Sequence, residues 1–313
     1  MKSNLDVSVV IPTRARPILL ERAIRSALEQ TCTNLEVIVV LDGDDGVTCD
    51  AVYKIPDPRI RLVALEQSVG GAEARNVGAL LARGRYIALL DDDDEWMPTK
   101  LEKQLAMADA CTTEAFVVVT QYFYRIAGEQ DEIWPGHLPA KSEPLSEFLF
   151  SSRGGFQTST YLCPRELFLR VPFTKGLKKH QDWDWFLQIA SLTNFELLVV
   201  REPLSIYWVP LRERTSVSGK LDWQFSHDWA KSRLSLMTRA AFSSFLVKIC
   251  VRSAAIQKEG VAGLVQLLRE LIFVGRPTPF LLGEFAASLL LPEELRCRLR
   301  YGMIHLRRHF FWR

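Results

Sequence analysis

No apolar stretch in this 313-residue sequence approaches the ~20 residues that a membrane-spanning helix needs. The most apolar late segment, Phe280 to Leu291, contains Glu284 and stops at Pro292. The opening Met1-Lys2-Ser3-Asn4-Leu5-Asp6 lacks the apolar core of a secretion signal, so no translocation is expected. Cysteine is sparse. Cys32, Cys49, Cys111, Cys163, Cys250 and Cys297 are too widely spaced for a C-x-x-C metal or redox pair, which leaves reduced thiols and a cytoplasmic location as the expectation. Repeats and low-complexity tracts are missing too. With 48% apolar and 24% charged residues, disordered, collagen-like and disulfide-scaffold classes are excluded.

A basic surface running through the folded body, the footprint of a general nucleic-acid binder, is also missing. The formal charge of +2 is unevenly divided: residues 1–220 carry 25 Lys/Arg against 30 Asp/Glu, and residues 221–313 carry 14 against 7. A mildly acidic body with a basic tail fits a charged small ligand, an anionic membrane surface, or both, and no nucleic acid.

What is present is an alternation of strands and helices. Val7-Ser8-Val9-Val10-Ile11 is a β-branched run stopped by Pro12, and Pro17 opens a helix with apolar Leu20, Ala23, Ile24, Ala27 and Leu28 at spacings of three and four. A second strand, Val37–Leu41, ends in the acidic turn Asp42-Gly43-Asp44-Asp45-Gly46. A third is predicted at Ile60–Leu65, before a Gly70-Gly71 turn and a helix over Ala72–Ala82. A fourth, Tyr86–Leu90, runs directly into Asp91-Asp92-Asp93-Asp94. Short βα links imply a mostly parallel sheet covered on both faces, with ligands at the carboxyl ends of its strands. Further on, the pattern predicts a strand from Phe116, a long polar loop over 125–143, a helix over Asp182–Leu192, and separate strands at Glu196–Val200 and Leu204–Val209. Helical periodicity takes over beyond residue 220.

Three clusters carry chemistry. Four consecutive aspartates after a buried strand call for a positive partner, and a hard divalent cation bridging to a ligand's phosphates would supply it; a solvated acidic turn or a helix cap is the plainer reading. Gly70 to Gly78 places small residues where a turn becomes a helix, with Arg75 and Asn76 in its first turns, which suits a nucleotide or simply a turn. His180-Gln181-Asp182-Trp183-Asp184-Trp185 sets two carboxylates two residues apart among aromatics, so one can face a cleft while the other serves structure. Aromatic surroundings raise a carboxylate's pKa, which suits a general base.

Together these residues resemble the family-two glycosyltransferases of the GT-A type, inverting enzymes that use nucleotide-diphospho-sugars. The matching elements are Val7 to Thr13, Asp42, Gly71 to Gly78, Leu90 to Pro98 with Lys100, Leu101 and Gln104, and Asp182-Trp183-Asp184, over roughly residues 5–218. The resemblance implies a Rossmann-like GT-A domain over 1–219, mostly parallel and covered by helices, and then a helical, basic region over 220–313. It assigns Pro12, Thr13 and Asp42 to the nucleotide pocket and places Arg75 near the nucleotide. Asp91 or Asp92 would meet ribose or sugar, Asp93 would hold Mg²⁺ or Mn²⁺, and Asp182 would be the base. Arg212 or Arg214, the latter in Arg214-Thr215-Ser216-Val217-Ser218, would reach the diphosphate. The implied partners are a nucleotide-sugar donor, UDP-sugar favoured, and a glycan or lipid-linked glycan acceptor. Six arginines and four aromatic residues after residue 295 suggest peripheral contact with anionic membrane through 280–313, at its inner face.

Three positions depart from the family pattern: Ala15 where Asn is frequent, Leu41 where a first Asp is frequent, and Gln181 where Glu commonly precedes the base. Two other classes fit parts of the sequence. A non-catalytic glycan-binding module of the same fold is disfavoured by the intact aspartates. A metal-dependent nucleotidyltransferase is disfavoured because a Gly-rich, basic phosphate loop is not evident near the first strand.

Overall fold

The computed structural model describes residues 5–209, 222–257 and 260–290. It divides into two compact units, one made of residues 1–145 and 152–217, the other of 146–151 and 218–313.

The first unit is built on βα repeats. Strand β1 (Val7–Thr13) is buried along its whole length and leads into α1 (Pro17–Leu28), whose Leu20, Ala23, Ile24 and Ala27 pack inward. Then come β2 (Leu35–Leu41), α2 (Gly46–Tyr53), β3 (Ile60–Ala64), α3 (Gly71–Leu81) and β4 (Tyr86–Leu89). The unit continues with β5 (Glu95–Trp96), α4 (Lys100–Ala110), β6 (Phe116–Ile126) and β7 (Glu132–Trp134). After α5 (Leu145–Leu149), which ends in the second unit, follow β8 (Leu162–Pro164), α6 (Arg165–Arg170), α7 (Gln181–Ala190) and β9 (Glu196–Val209).

The sheet runs β3-β2-β1-β4-β8-β6-β9-β5, with β7 pairing off this path with Tyr122–Tyr124 of β6. Strands β1 to β4 are mutually parallel, as are β6 and β9, whereas β8 runs against both of its neighbours. The expected mostly parallel, helix-covered α/β sheet is therefore present, with β8 antiparallel inside it and the short strands β5 and β7 antiparallel to β9 and β6. Strand order reverses at β1, with β2 on one side and β4 on the other. The crevice at the carboxyl ends of β1 and β4 is the place where such sheets bind ligands.

Close packing of α3 on this sheet depends on Gly78. A Cβ there would sit 2.4 Å from Val10 Cγ1 and 3.2 Å from Val40 Cγ2. The expected loop over 125–143 contains the hairpin strand β7. The two strands expected over 196–209 are one, carried past Pro203 by an irregularity opposite Thr120–Tyr122.

The second unit is helical, with α8 (Trp223–Ser232), α9 (Arg239–Phe245), a π-helical turn Leu246–Val251, α10 (Arg252–Ile256), α11 (Val261–Phe273) and α12 (Pro279–Leu290). Its core packs Phe245 edge-on against Phe150 and at a tilt against Trp229, with ring centroids 5.1 Å apart in each pair. Thr238 caps α9 by accepting from the Ala241 amide at 3.0 Å while its hydroxyl donates to Glu147. No described helix is long and apolar enough to cross a membrane.

Candidate functional site

The carboxyl end of β1 delivers Thr13, and that of β4 delivers the acidic turn, closed by the Asp94 amide on the Asp91 carbonyl at 3.1 Å. Thr13 Oγ1 donates to Asp92 Oδ2 at 2.7 Å. Between them, Arg16 Nη1 reaches Asp92 Oδ1 at 3.0 Å and Asp93 Oδ2 at 2.9 Å. Arg22 donates to the Asp93 carbonyl at 2.6 Å. Arg75, projecting from α3, binds Asp91 with Nη2 and offers Nη1 to Gln181 Oε1 at 3.3 Å. Gln181 is the first residue of α7 and immediately precedes Asp182. One connected polar chain thus runs from Thr13 through Asp92, Arg16 and Asp93, and another from Asp91 through Arg75 to the N-terminus of α7.

Burial and mutual repulsion dominate the electrostatics. Asp92 is pushed up to about 6 by burial, against the Thr13 hydrogen bond and the Arg16 charge. Burial and then the neighbouring Asp91 raise Asp93. Asp94 lies deeper and is raised well above the carboxylate range, first by burial and then by Asp91 and Asp93. It accepts from Ser159 Oγ at 2.5 Å and from Gln157, and it takes no part in capping α4, where Thr99 is the preceding residue. Asp182 is half-buried. Burial raises its pKa, the Trp183 amide lowers it, and Asp91 raises it again. These are the conditions of a carboxylate that binds a proton more readily than one in water.

The two carboxylates of the α7 motif separate by role. Asp184 is fully buried and accepts from Thr174 Oγ1 at 2.6 Å and Gln188 Nε2 at 2.7 Å, while Trp185 stacks on Phe173 with centroids 5.4 Å apart. Asn76 ties α3 to the Phe173 backbone in both directions, at 2.9 Å each, so it holds structure. Asp42 takes the Val69 amide at 2.6 Å, the Gly70 amide at 3.0 Å and the Ser68 hydroxyl at 2.8 Å, so in this state it shapes the loop before α3. Pro12 is buried in β1 beside Val40 of β2. Arg212 and Arg214 lie outside the described residues.

Sequence reasoning missed the arginines that neutralise the turn. Arg16 and Arg22 are separated from the aspartates by more than seventy residues, and only their position just after β1 hinted at them. It also missed Ser159 and Gln157, which hold Asp94 and carry no motif.

For a divalent cation the donor set fits in kind: hard carboxylate oxygens on a turn whose charges raise one another. Among the described residues no three His, Cys, Asp or Glu side chains converge on one point. A cation here would therefore rely on one or two carboxylates together with diphosphate and water oxygens, which is the usual manner of Mg²⁺ in nucleotide sites.

The fold is of the GT-A type. It is shared with TarS of S. aureus, solved with UDP-GlcNAc (TM-score 0.58, 17% identity, 93% of this chain and 82% of that one). It is also shared with the mannosyltransferase PcManGT of Pyrobaculum calidifontis, solved with GDP-Man and Mn²⁺ (TM-score 0.55, 18% identity, 95% and 79%). The chain belongs to Glycosyl transferase family 2, whose sequence model matches residues 8–185, and it is a glycosyltransferase. Among its relatives are the amylovoran biosynthesis glycosyltransferase AmsB of Erwinia amylovora, 28% identical over 75% of this chain and 80% of AmsB, and the succinoglycan biosynthesis protein ExoO of Rhizobium meliloti, 42% identical over 36% and 32%. Another is WfaP of Escherichia coli, a UDP-Glc:alpha-D-GlcNAc-diphosphoundecaprenol beta-1,3-glucosyltransferase, 35% identical over 37% of this chain and 46% of WfaP.

Proposed function

We propose that this enzyme transfers a sugar with inversion from a UDP-sugar to a hydroxyl of a lipid-linked glycan during polysaccharide assembly. The observation that carries this reading is the Asp91–Arg75–Gln181 connection, which ties the acidic turn to the helix N-terminus bearing Asp182. Thr13, Pro12 and Asp42 line the nucleotide end, and Asp91 or Asp92 faces ribose or sugar. Arg75, with Arg214, answers the diphosphate charge. Asp182 accepts the proton of the acceptor hydroxyl as its oxygen bonds to the anomeric carbon and the bond from that carbon to the diphosphate oxygen breaks. Base and leaving group lie on opposite faces of the ring, hence inversion. A Mg²⁺ or Mn²⁺ held by Asp93 would supply Lewis-acid stabilisation of the charge on the diphosphate.

The acceptor class is supported by WfaP, which acts on a diphosphoundecaprenol-linked sugar, and by the apolar residues that α11 and α12 leave exposed. Phe273 and Leu290 are each about three-quarters exposed, at 74% and 79%, and Phe280 and Leu282 accompany them. The test is Asp182→Asn. UDP binding is retained while transfer falls by roughly 10²–10⁴-fold, the usual worth of a general base; full transfer by this variant would sink the assignment.

A further inference from the structure

We propose that Arg16 is a surrogate cation of the nucleotide-free enzyme. Its guanidinium bridges Asp92 and Asp93, where it would compete with a divalent cation held by Asp93, so metal and nucleotide would enter together and the metal would not bind first. The inference rests on reading Asp93 as a metal ligand.

A single nitrogen, Nη1, lies within 3.0 Å of carboxylate oxygens from both residues, so the side chain bridges them as a point charge would. The other cations near the turn are committed elsewhere. Arg75 is paired with Asp91, and Arg22 is bonded to the Asp93 carbonyl and paired with Glu95. Among the described residues, Arg16 is the cation in contact with the Asp92 and Asp93 carboxylates. It is held there by its backbone. Ala15 adopts a left-handed φ of 53°, and its amide donates to Asp45 Oδ2 at 2.8 Å, the same carboxylate that caps α2 through the Thr48 amide at 3.1 Å. Arg16 then stands directly before Pro17, the first residue of α1. The bend aims it at the acidic turn.

The consequences follow from charge. Four consecutive aspartates repel one another, and Arg16 offsets part of that repulsion without a metal. A divalent ion arriving alone must displace the guanidinium, which then loses its carboxylate partners. When the ion arrives with a diphosphate, the released guanidinium has a new anion to meet, and Arg suits phosphate oxygens well. Metal and nucleotide are therefore coupled through Arg16, and such coupling is reciprocal.

The probe is Mn²⁺ alone, followed by electron paramagnetic resonance with and without UDP, on the whole protein and on Arg16→Gln, Arg16→Lys and Asp93→Ala. The proposal expects weak Mn²⁺ binding to the unaltered protein that tightens with UDP, and about tenfold tighter Mn²⁺ binding to Arg16→Gln without nucleotide. Arg16→Lys, which keeps the charge, behaves as the unaltered protein. Equal Mn²⁺ affinity in Arg16→Gln and the unaltered protein, with binding lost in Asp93→Ala, overturns the role of Arg16 and leaves the metal ligand standing. Undiminished binding in Asp93→Ala overturns the underlying reading instead. If Arg16→Gln unfolds at low temperature without metal, saturating Mn²⁺ must restore its melting transition; failure to do so also overturns the proposal.

Discussion

Asp182 shows how position decides the behaviour of a residue. A carboxylate at a helix N-terminus is ordinarily stabilised in its charged form, yet burial and the nearby Asp91 raise its pKa here. With Asp182 as the proposed base, transfer would require the unprotonated form, so kcat/KM is expected to fall tenfold per pH unit on an acid limb lying above the ~3.9 of an ordinary aspartate. A pH–rate profile with no acid limb, or with one below that value, would contradict the assignment. Ala15 offers a second test. In the left-handed region an L-residue with a Cβ is strained, and Asn tolerates it better than Ala, which gives a physical reason for the Asn frequent there in the family. Ala15→Asn is expected to raise stability by about 0.5–1 kcal/mol, read by denaturant unfolding, because its amide keeps the bond to Asp45. At this scale the residue pattern by itself left Asp182 and Asp184 equivalent, and the family resemblance pointed to Asp182. Only the contacts of Asp184 with Thr174 and Gln188 mark it as structural.

Among the elements, the first four strands and the helices α1 and α3 were legible, because each carries its own periodicity or stop signal, whereas α2, between β2 and β3, was not read. Pro17 opens α1 and Gly70 precedes α3, as read. The far half of the sheet was not legible. That β6 pairs in parallel with β9, and that β8 enters between β4 and β6 in the opposite sense, are facts of partner choice between distant segments, to which local alternation is blind. The single strand Glu196–Val209 looked like two because Pro203 interrupts its pattern, and the irregularity opposite it absorbs the missing donor. Gly78 shows what one element demands of another. Gly78→Ala puts a methyl 2.4 Å from Val10 Cγ1 and forces α3 or the valine to move. Overpacking of this kind costs about 1–3 kcal/mol, more than the ~1 kcal/mol that Ala gains over Gly in a helix. A lowered melting temperature is expected, and a raised one would contradict the close approach.

For the molecule as a whole, the net charge of +2 joins an acidic glycosyltransferase body to a basic helical region. In the body the aspartates of the 91–94 turn are met by Arg16, Arg22 and Arg75, so local balance coexists with the overall deficit. The second unit exposes Ile272, Phe273, Phe280, Leu282, Leu289 and Leu290. The residues beyond 290, with the six arginines of the basic segment, lie outside the described residues. Apolar exposure followed in sequence by cations is the composition of an interfacial segment, where each cation near anionic lipid contributes ~1 kcal/mol. Flotation with phosphatidylglycerol-rich vesicles at low salt should carry the protein upward, with release at high salt; a protein left at the bottom of the gradient at low salt would refute membrane contact. By itself the sequence determined the βα alternation, the family and the acidic turn, since period, stop residues and motif spacing are local and survive without coordinates. The tertiary structure decided which carboxylates meet which cations, with Arg16 bridging Asp92 and Asp93. The contacts of Arg16 and Arg22 join residues more than seventy positions apart, and only the closing of the sheet brings them within hydrogen-bonding distance.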